Sequence, residues 1–221
     1  MRRIRSFVLR TGRITTGQKR AMEELWPRFG IDTSDTCIDL AEAFGSTAPV
    51  TLEIGFGNGD NLVDMAAQAP DQNFLGIEVH DPGVGRCLLG VEQQQLQNVR
   101  VICRDALEVL ECCIADASLQ RANLFFPDPW HKKRHHKRRI VQHDFVRLIG
   151  NKLQADGIFH IATDWPDYAE HIAAIMVEHP EFAPLAAPPK DRSISRFDRR
   201  GQGLGHTNWE QAWCKRSKIP N

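Results

Sequence analysis

The chain has 221 residues, 42% hydrophobic and 25% charged, ordinary values for a globular protein that exclude wholesale disorder and allow a sizeable core. No window approaches the ~18 uninterrupted apolar residues of a membrane helix, and the start lacks the apolar stretch of a secretory signal. Lys+Arg and Asp+Glu are 28 each, so the net charge excludes nothing and the information lies in where the charges fall.

In chain order, residues 1–20 are rich in arginine and free of acids, the composition of a nucleic-acid-binding arm or of an organelle transit peptide. GQKRAMEELWPRF (17–29) reads as a short helix ended near Pro27. These segments divide the chain into a basic N-terminal arm with a short helix, 1–30, and a single domain, 31–221. Val50–Ile54 is a β-prone apolar run that opens into a glycine-rich turn. Asn61–Ala69 follows as a helix with Leu62, Met65, Ala66 and Ala69 on one face. Phe74–Val79 is a second strand, 83–97 a helix, Val99–Cys103 a third strand and 106–115 a third helix. Asn123–Phe126 is a fourth strand, and 141–153 a helix with Val141, Phe145, Leu148 and Ile149 inward. Ile158–Thr163 is a fifth strand, and Pro166–Glu178 a helix opened by proline. The proline-rich 180–191 reads as a loop, and 206–216 as an antiparallel edge strand pair. Short buried strands alternating with helices predict an α/β fold, a mostly parallel sheet covered by helices on both faces.

Six cysteines, at 37, 87, 103, 112, 113 and 214, form no C-x-x-C pair, and the adjacent Cys112 and Cys113 are poorly spaced for one tetrahedral zinc. They predict ordinary thiols in a reduced, cytoplasmic protein, with neither a metal nor a disulfide framework. His131, His135 and His136 lie among cations rather than among further ligands.

The strand ends carry the chemistry, because ligands of an open α/β sheet bind outside its carboxyl edge. The first strand runs into EIGFGNG, with Glu53, Gly55, Gly57 and Gly59. A dinucleotide fingerprint needs a glycine where Asp60 stands. Carboxylates on either side of the turn oppose a pyrophosphate and suit a cationic ligand. Glu78, closing the second strand, is placed to accept from ribose hydroxyls, and Asp105, after the third, from an adenine amino group. Together they describe a pocket for an adenosine with a positive tail. S-adenosylmethionine fits, and unrelated strand-end acids around a buried turn are the plain alternative.

Four segments, 1–20, 131–139, 190–200 and 215–218, hold 21 of the 28 basic residues and only two acids, Asp191 and Asp198. That local charge of +19, with Phe7, Trp130, Phe197 and Trp213 interleaved or adjacent, predicts a polyanionic partner. The densest block follows the fourth strand, LFFPDPWHKKRHHKRR (124–139). Its two prolines stiffen the loop around Asp128, and Trp130 offers a ring face for stacking a base.

FPDPWxKKRHHKRR, with EIGFGNG, GIEVH and ATDWxxY, resembles the bacterial tRNA (guanine-7-)-methyltransferases. RSFVLRTGRITTGQKRAMEELWP and GHTNWEQAW are also similar to that family's ends, so the likeness runs from about residue 5 to 216. The resemblance implies a Rossmann-like class I methyltransferase that moves a methyl group from S-adenosylmethionine to nitrogen 7 of a tRNA guanine, in the variable loop at position 46. It implies S-adenosylmethionine contacts at Glu53, Glu78, Asp105 and Asp128, beside Gly55, Gly57 and Gly59 of the turn, with Asp128 also the catalytic residue. Lys132 and Asp164 match its substrate positions, and Arg134, His135, His136, Lys137, Arg138 and Arg139 match a stretch that touches RNA. Its T-x-x-E substrate motif aligns with Ser195, Arg196, Phe197 and Asp198, where hydroxyl and carboxylate survive on different side chains.

Nitrogen 7 of guanine has a free in-plane lone pair, so the transfer releases no proton and needs no strong base. Alignment of nitrogen, methyl carbon and sulfur is the main requirement, together with a fixed carboxylate facing the charge that moves onto the purine. Asp164-Trp165-Pro166 reads equally as a helix cap, and Trp209 and Trp213 as packing residues sharing a strand face. Three other readings stand beside the first: methylation of an exocyclic base amine, a non-catalytic RNA-binding protein, and a nicotinamide oxidoreductase, the last opposed by Asp60 and the basic block. The expected partner is tRNA, with no membrane and no metal, and the protein a monomer or homodimer.

Overall fold

The computed structural model describes residues 6–7, 12–34, 36–192 and 208–217. Seven strands form one sheet: β1 (Val50–Ile54), β2 (Asn73–Glu78), β3 (Val99–Cys103), β4 (Leu119–Phe125), β5 (Leu153–Thr163), β6 (Phe182–Pro184) and β7 (Trp209–Lys215). Their order is β3-β2-β1-β4-β5-β7-β6. The first five are mutually parallel, and β7 runs antiparallel to both β5 and β6. Strand order reverses between β1 and β4, which opens a crevice at their carboxyl ends.

The helices are α1 (Thr16–Glu24), α2 (Trp26–Phe29), α3 (Leu40–Phe44), α4 (Asp60–Gln68), α5 (Asp81–Gln93), α6 (Ala106–Cys112), α7 (His143–Lys152) and α8 (Pro166–Val177). They cover both faces. Leu52, Ile54, Leu75, Ile77 and Leu124 pack with α3, α6, α7 and α8. Phe74, Val99 and Val101 pack with α1, α2, α4 and α5. Ala21 and Phe29 are buried in that second layer, so the helices of 16–29 are packed onto the sheet.

Three elements differ from expectation. Residues 182–184, within the stretch read as a loop, form the outer strand β6. A proline is tolerated there because an edge strand need not offer every N–H. The C-terminal segment is accordingly one strand, β7, inserted between β5 and β6, and not a pair at the edge. Helix α3 was not foreseen, although Asp39 accepts at its N-terminus from the Glu42 N–H (3.0 Å) and Gly45 ends it at φ +64°. The basic block forms a short 3-10 helix, Lys133–Arg138. Trp209 and Trp213 lie on one face of β7 with ring centroids 6.0 Å apart, Trp213 in the core. No described helix is long and apolar enough to cross a membrane.

Candidate active site

The crevice above β1 and β4 is a cavity of about 410 Å³. It brings together Gly55, Gly57, Glu78, Asp105 and Asp128, residues separated by up to 73 positions in the chain. Hydrophobic walls come from Ile54, Ile77, Leu124 and Phe125.

The glycine turn follows β1 because Gly55, Gly57 and Gly59 all adopt positive φ, a region costly to other residues. A Cβ on Gly55 or Gly57 would meet nothing within 4 Å, so backbone faces open space there. Gly59 serves differently: a Cβ on it would lie 2.5 Å from the side chain of Cys87, so this glycine allows α4 to approach α5. Gly59 does not line the cavity, and neither does Glu53. Glu53 lies 3% exposed beneath the turn, accepting from Asn61 Nδ2 at 2.8 Å. Burial pushes its carboxyl up to about 7, against the Asn61 hydrogen bond and the charges of Arg121 and Arg192.

Glu78 is oriented by its own surroundings. Its carboxylate accepts from the N–H groups of Gly57 (2.8 Å), Val79 (2.7 Å) and His80 (3.1 Å). These three donors hold the carboxylate in place at the cavity wall. Asp105 caps α6 through one oxygen, accepting from the Leu107 N–H at 2.9 Å. Asp105 also lines the cavity.

Asp128 is exposed at the rim. The chain on either side is turned by two non-glycine residues in the left-handed region, Phe126 (φ +50°) and Trp130 (φ +47°). Such residues cost of order 1–3 kcal/mol each and collect at functional sites. The Phe126 N–H donates to the Ala162 carbonyl of β5 (2.8 Å). Asp128 and Asp164 thus each stand two residues beyond that link, on adjacent strands. Asp164 does not cap α8; Trp165 holds the cap position, and its ring packs on His131 at 4.2 Å.

The basic block divides. Lys132, Lys133, Arg134 and Lys137 are exposed. Arg138 stacks on Trp130 at 3.8 Å and donates to the Phe7 carbonyl, while Trp130 Nε1 donates to the Ser6 carbonyl at 3.0 Å. The Trp130 face expected to receive a base therefore carries Arg138, and the pair ties down an N-terminal segment that also lines the cavity. Arg139, expected on the RNA face, is only 2% exposed. It pairs with Asp167, donates to the Pro129 carbonyl (2.9 Å) and covers the Tyr168 ring, so it is a structural cation. His136 lies beside it, 3.1 Å from the Arg139 guanidinium. In His135, loss of hydration and the cations Arg134, Arg138, Lys132 and Lys137 hold the imidazole pKa below its usual value.

Ser195, Arg196, Phe197 and Asp198 lie outside the described residues. Cavity residues that the sequence reading missed are Ser6, Phe7, His80, Arg104, Phe126 and Ile140. For Ser6, Phe7, His80 and Phe126 the signal was present, because all four sit inside quoted motifs. Among the described residues no group of three or more His, Cys, Asp or Glu could hold a metal ion.

Residues 47–211 match the family model described as "Putative methyltransferase". The chain is 53% identical over 221 residues to the tRNA (guanine-N(7)-)-methyltransferase of Sodalis glossinidius (strain morsitans), covering 97% of this chain and 92% of that protein. In fold it is similar to the aminoglycoside resistance methyltransferase NpmB1 (TM-score 0.54, 12% identity, 84% of this chain and 95% of that one). It is also similar to Haemonchus contortus phosphoethanolamine N-methyltransferase 2 in complex with S-adenosyl-L-methionine (TM-score 0.50, 13% identity, 90% and 53%).

Proposed function

The chain belongs to the tRNA (guanine-N(7)-)-methyltransferase family, and from that membership we propose a division of labour along the rim of its cavity. The protein methylates nitrogen 7 of a guanine in tRNA, with S-adenosylmethionine as methyl donor. That donor supplies an electrophilic methyl carbon on a sulfonium.

The residues fit it. Gly55 and Gly57 leave space for close approach, Glu78 and Asp105 accept from ribose and adenine, and Ile54, Ile77 and Leu124 shield the purine from water. Glu53 acts from below, an anionic reserve under the turn that becomes more acidic as positive charge arrives. Asp128 faces the methyl-accepting base, accepts a hydrogen bond from it and stabilises the positive charge that arrives on the purine. Asp164 takes a second base-edge donor, and Lys132 fixes a phosphate or base oxygen. Ser195, Arg196, Phe197 and Asp198 complete the substrate contacts. Lys133, Arg134 and Lys137 neutralise backbone phosphates. The target is the variable-loop guanine at position 46. The six free thiols support work in the reducing cytoplasm, as a monomer or homodimer.

The observation that carries this reading is that one cavity is lined by Gly55, Gly57, Glu78, Asp105 and Asp128. It is tested with labelled methyl donor and total tRNA, then borohydride reduction and aniline cleavage, which breaks the strand at 7-methylguanosine. Cleavage at position 46 is expected. Label that resists the treatment would instead place the methyl group on an exocyclic amine. Asp128→Asn is expected to lower transfer by about a hundredfold or more with tRNA affinity nearly unchanged. Equal losses of both would make Asp128 a docking residue.

A further inference from the structure

Behind the cavity, the sheet face that meets α4 carries a buried polar row where aliphatic side chains would be cheaper to bury. Glu53 of β1 pairs in register with Asn123 of β4, and Asn123 with His160 of β5. Arg121, 7% exposed, donates to Asn123 Oδ1 (2.7 Å) and Asp191 Oδ2 (2.5 Å), and its Nη2 lies 2.8 Å from His160 Nδ1. A guanidinium only donates, so His160 Nδ1 accepts and its proton sits on Nε2. That proton is given to Glu210 of β7 at 2.8 Å. Glu210 in turn accepts from Arg192 through Nε (3.2 Å) and Nη2 (2.9 Å). The Arg192 guanidinium then lies over both Phe125 (5.5 Å) and Phe126 (5.4 Å), and the His160 ring meets Phe125 edge-on at 4.9 Å.

The row therefore begins beneath the glycine turn and ends against the two aromatic residues that immediately precede the Pro127-Asp128-Pro129 turn. Methyl transfer depends on the angle at which the base meets the methyl carbon, and a displacement of 1 Å can cost a hundredfold in rate. We propose that His160 is a positioning residue for the transfer: held neutral between Arg121 and Glu210, it fixes Arg192 against Phe125 and Phe126 and so sets the attitude of Asp128. This rests on the role given to Asp128 above. His160 acts through the strand end.

The two arms of the imidazole can be separated. A glutamine amide reaches as far as Nε2 and preserves donation to Glu210, whereas an asparagine amide reaches only as far as Nδ1 and preserves acceptance from Arg121. In the full-length chain, His160→Gln should keep kcat within about threefold of the parent, and His160→Asn should lower it about tenfold or more. KM for tRNA and calorimetric affinity for S-adenosylhomocysteine should stay within about threefold in both. Glu210→Gln, which keeps an acceptor but loses the charge that holds Arg192, should resemble His160→Asn. A kcat that merely follows thermal stability across the three variants, or an Asn variant as fast as the Gln variant, would overturn the proposal. Asp128→Asn in the same series separates the two readings. If it leaves transfer intact, the role of Asp128 fails. If it abolishes transfer while kcat of the other variants follows stability, only the positioning role of His160 fails.

Discussion

Glu53 is an acid that burial leaves about half protonated at neutrality. Its folded value of about 7 lies above the ordinary 4.5, so the folded state binds the proton more tightly than the unfolded one. Its contribution is therefore present below pH 4.5 and lost as pH rises through about 7, by roughly 3 kcal/mol at most. Glu53→Gln, which can still accept from Asn61, should remove that part of the pH dependence, and thermal melts at pH 5 and 8 read it. The glycines of the turn separate in the same way. Gly59→Ala combines φ +78° with a Cβ 2.5 Å from Cys87, and should cost stability by about 2 kcal/mol or more. Gly57→Ala, at φ +60° with open space ahead of it, should be milder in a melt, yet weaken S-adenosylhomocysteine binding measured by calorimetry.

At the scale of elements, the segment Lys133–Arg138 shows that a run of cations need not act as one patch. Lys133, Arg134 and Lys137 face water, and replacing all three by glutamine should weaken tRNA binding and flatten its salt dependence. Each lost phosphate contact is worth somewhat less than one unit of the log–log slope, so a slope unchanged from the parent would remove them from the interface. Arg139→Gln should act on the fold instead. Its guanidinium joins Asp167, Pro129 and Tyr168, and its loss should lower stability by about 2 kcal/mol without changing the salt slope. The cause lies in the 3-10 geometry and in Trp130, which at φ +47° redirects the chain so that successive cations part company.

Across the whole molecule, acid should act through the polar row behind the cavity. Burial holds His160 below its usual imidazole pKa, with Arg121 opposing protonation and Glu210 and Asp191 favouring it. The neutral form is thus the folded form, and its contribution is present above pH 6.5 and lost as pH falls below it. Glu210 behaves in the same protonation sense, despite the burial that opposes its charge. His160 and Arg192 hold it at about 2, so its contribution is present above 4.5 and lost as pH falls towards about 2. Melts between pH 7 and 5 should therefore show a smaller loss in His160→Gln than in the parent protein. Glu53 slopes the other way over part of that range, which is why the two substitutions are needed to separate them.

Periodicity and strand-end chemistry made β1 and β3 legible to the residue, because a buried parallel strand is a short apolar run bounded by glycines or acids. The same chemistry put Glu78, Asp105 and Asp128 at one edge, since alternating strands and helices leave every such carboxylate on the sheet's carboxyl side. Strand β6 was hidden because three residues containing a proline carry no period, and only β7 gives them a partner. The inward turn of Arg139, the guanidinium over Trp130 and the tautomer of His160 were equally invisible in one dimension. Each depends on a neighbour 28 to 50 residues distant, or on a backbone angle that no residue type dictates. What the amino-acid order determined alone is the layered architecture, the acids at its rim and the presence of a polyanion-binding block, because these follow from local pattern and residue chemistry. Which cations reach solvent, which acid has its pKa raised by burial and which imidazole nitrogen holds the proton were decided only by tertiary structure, because desolvation and hydrogen-bond partners exist only once the chain has packed.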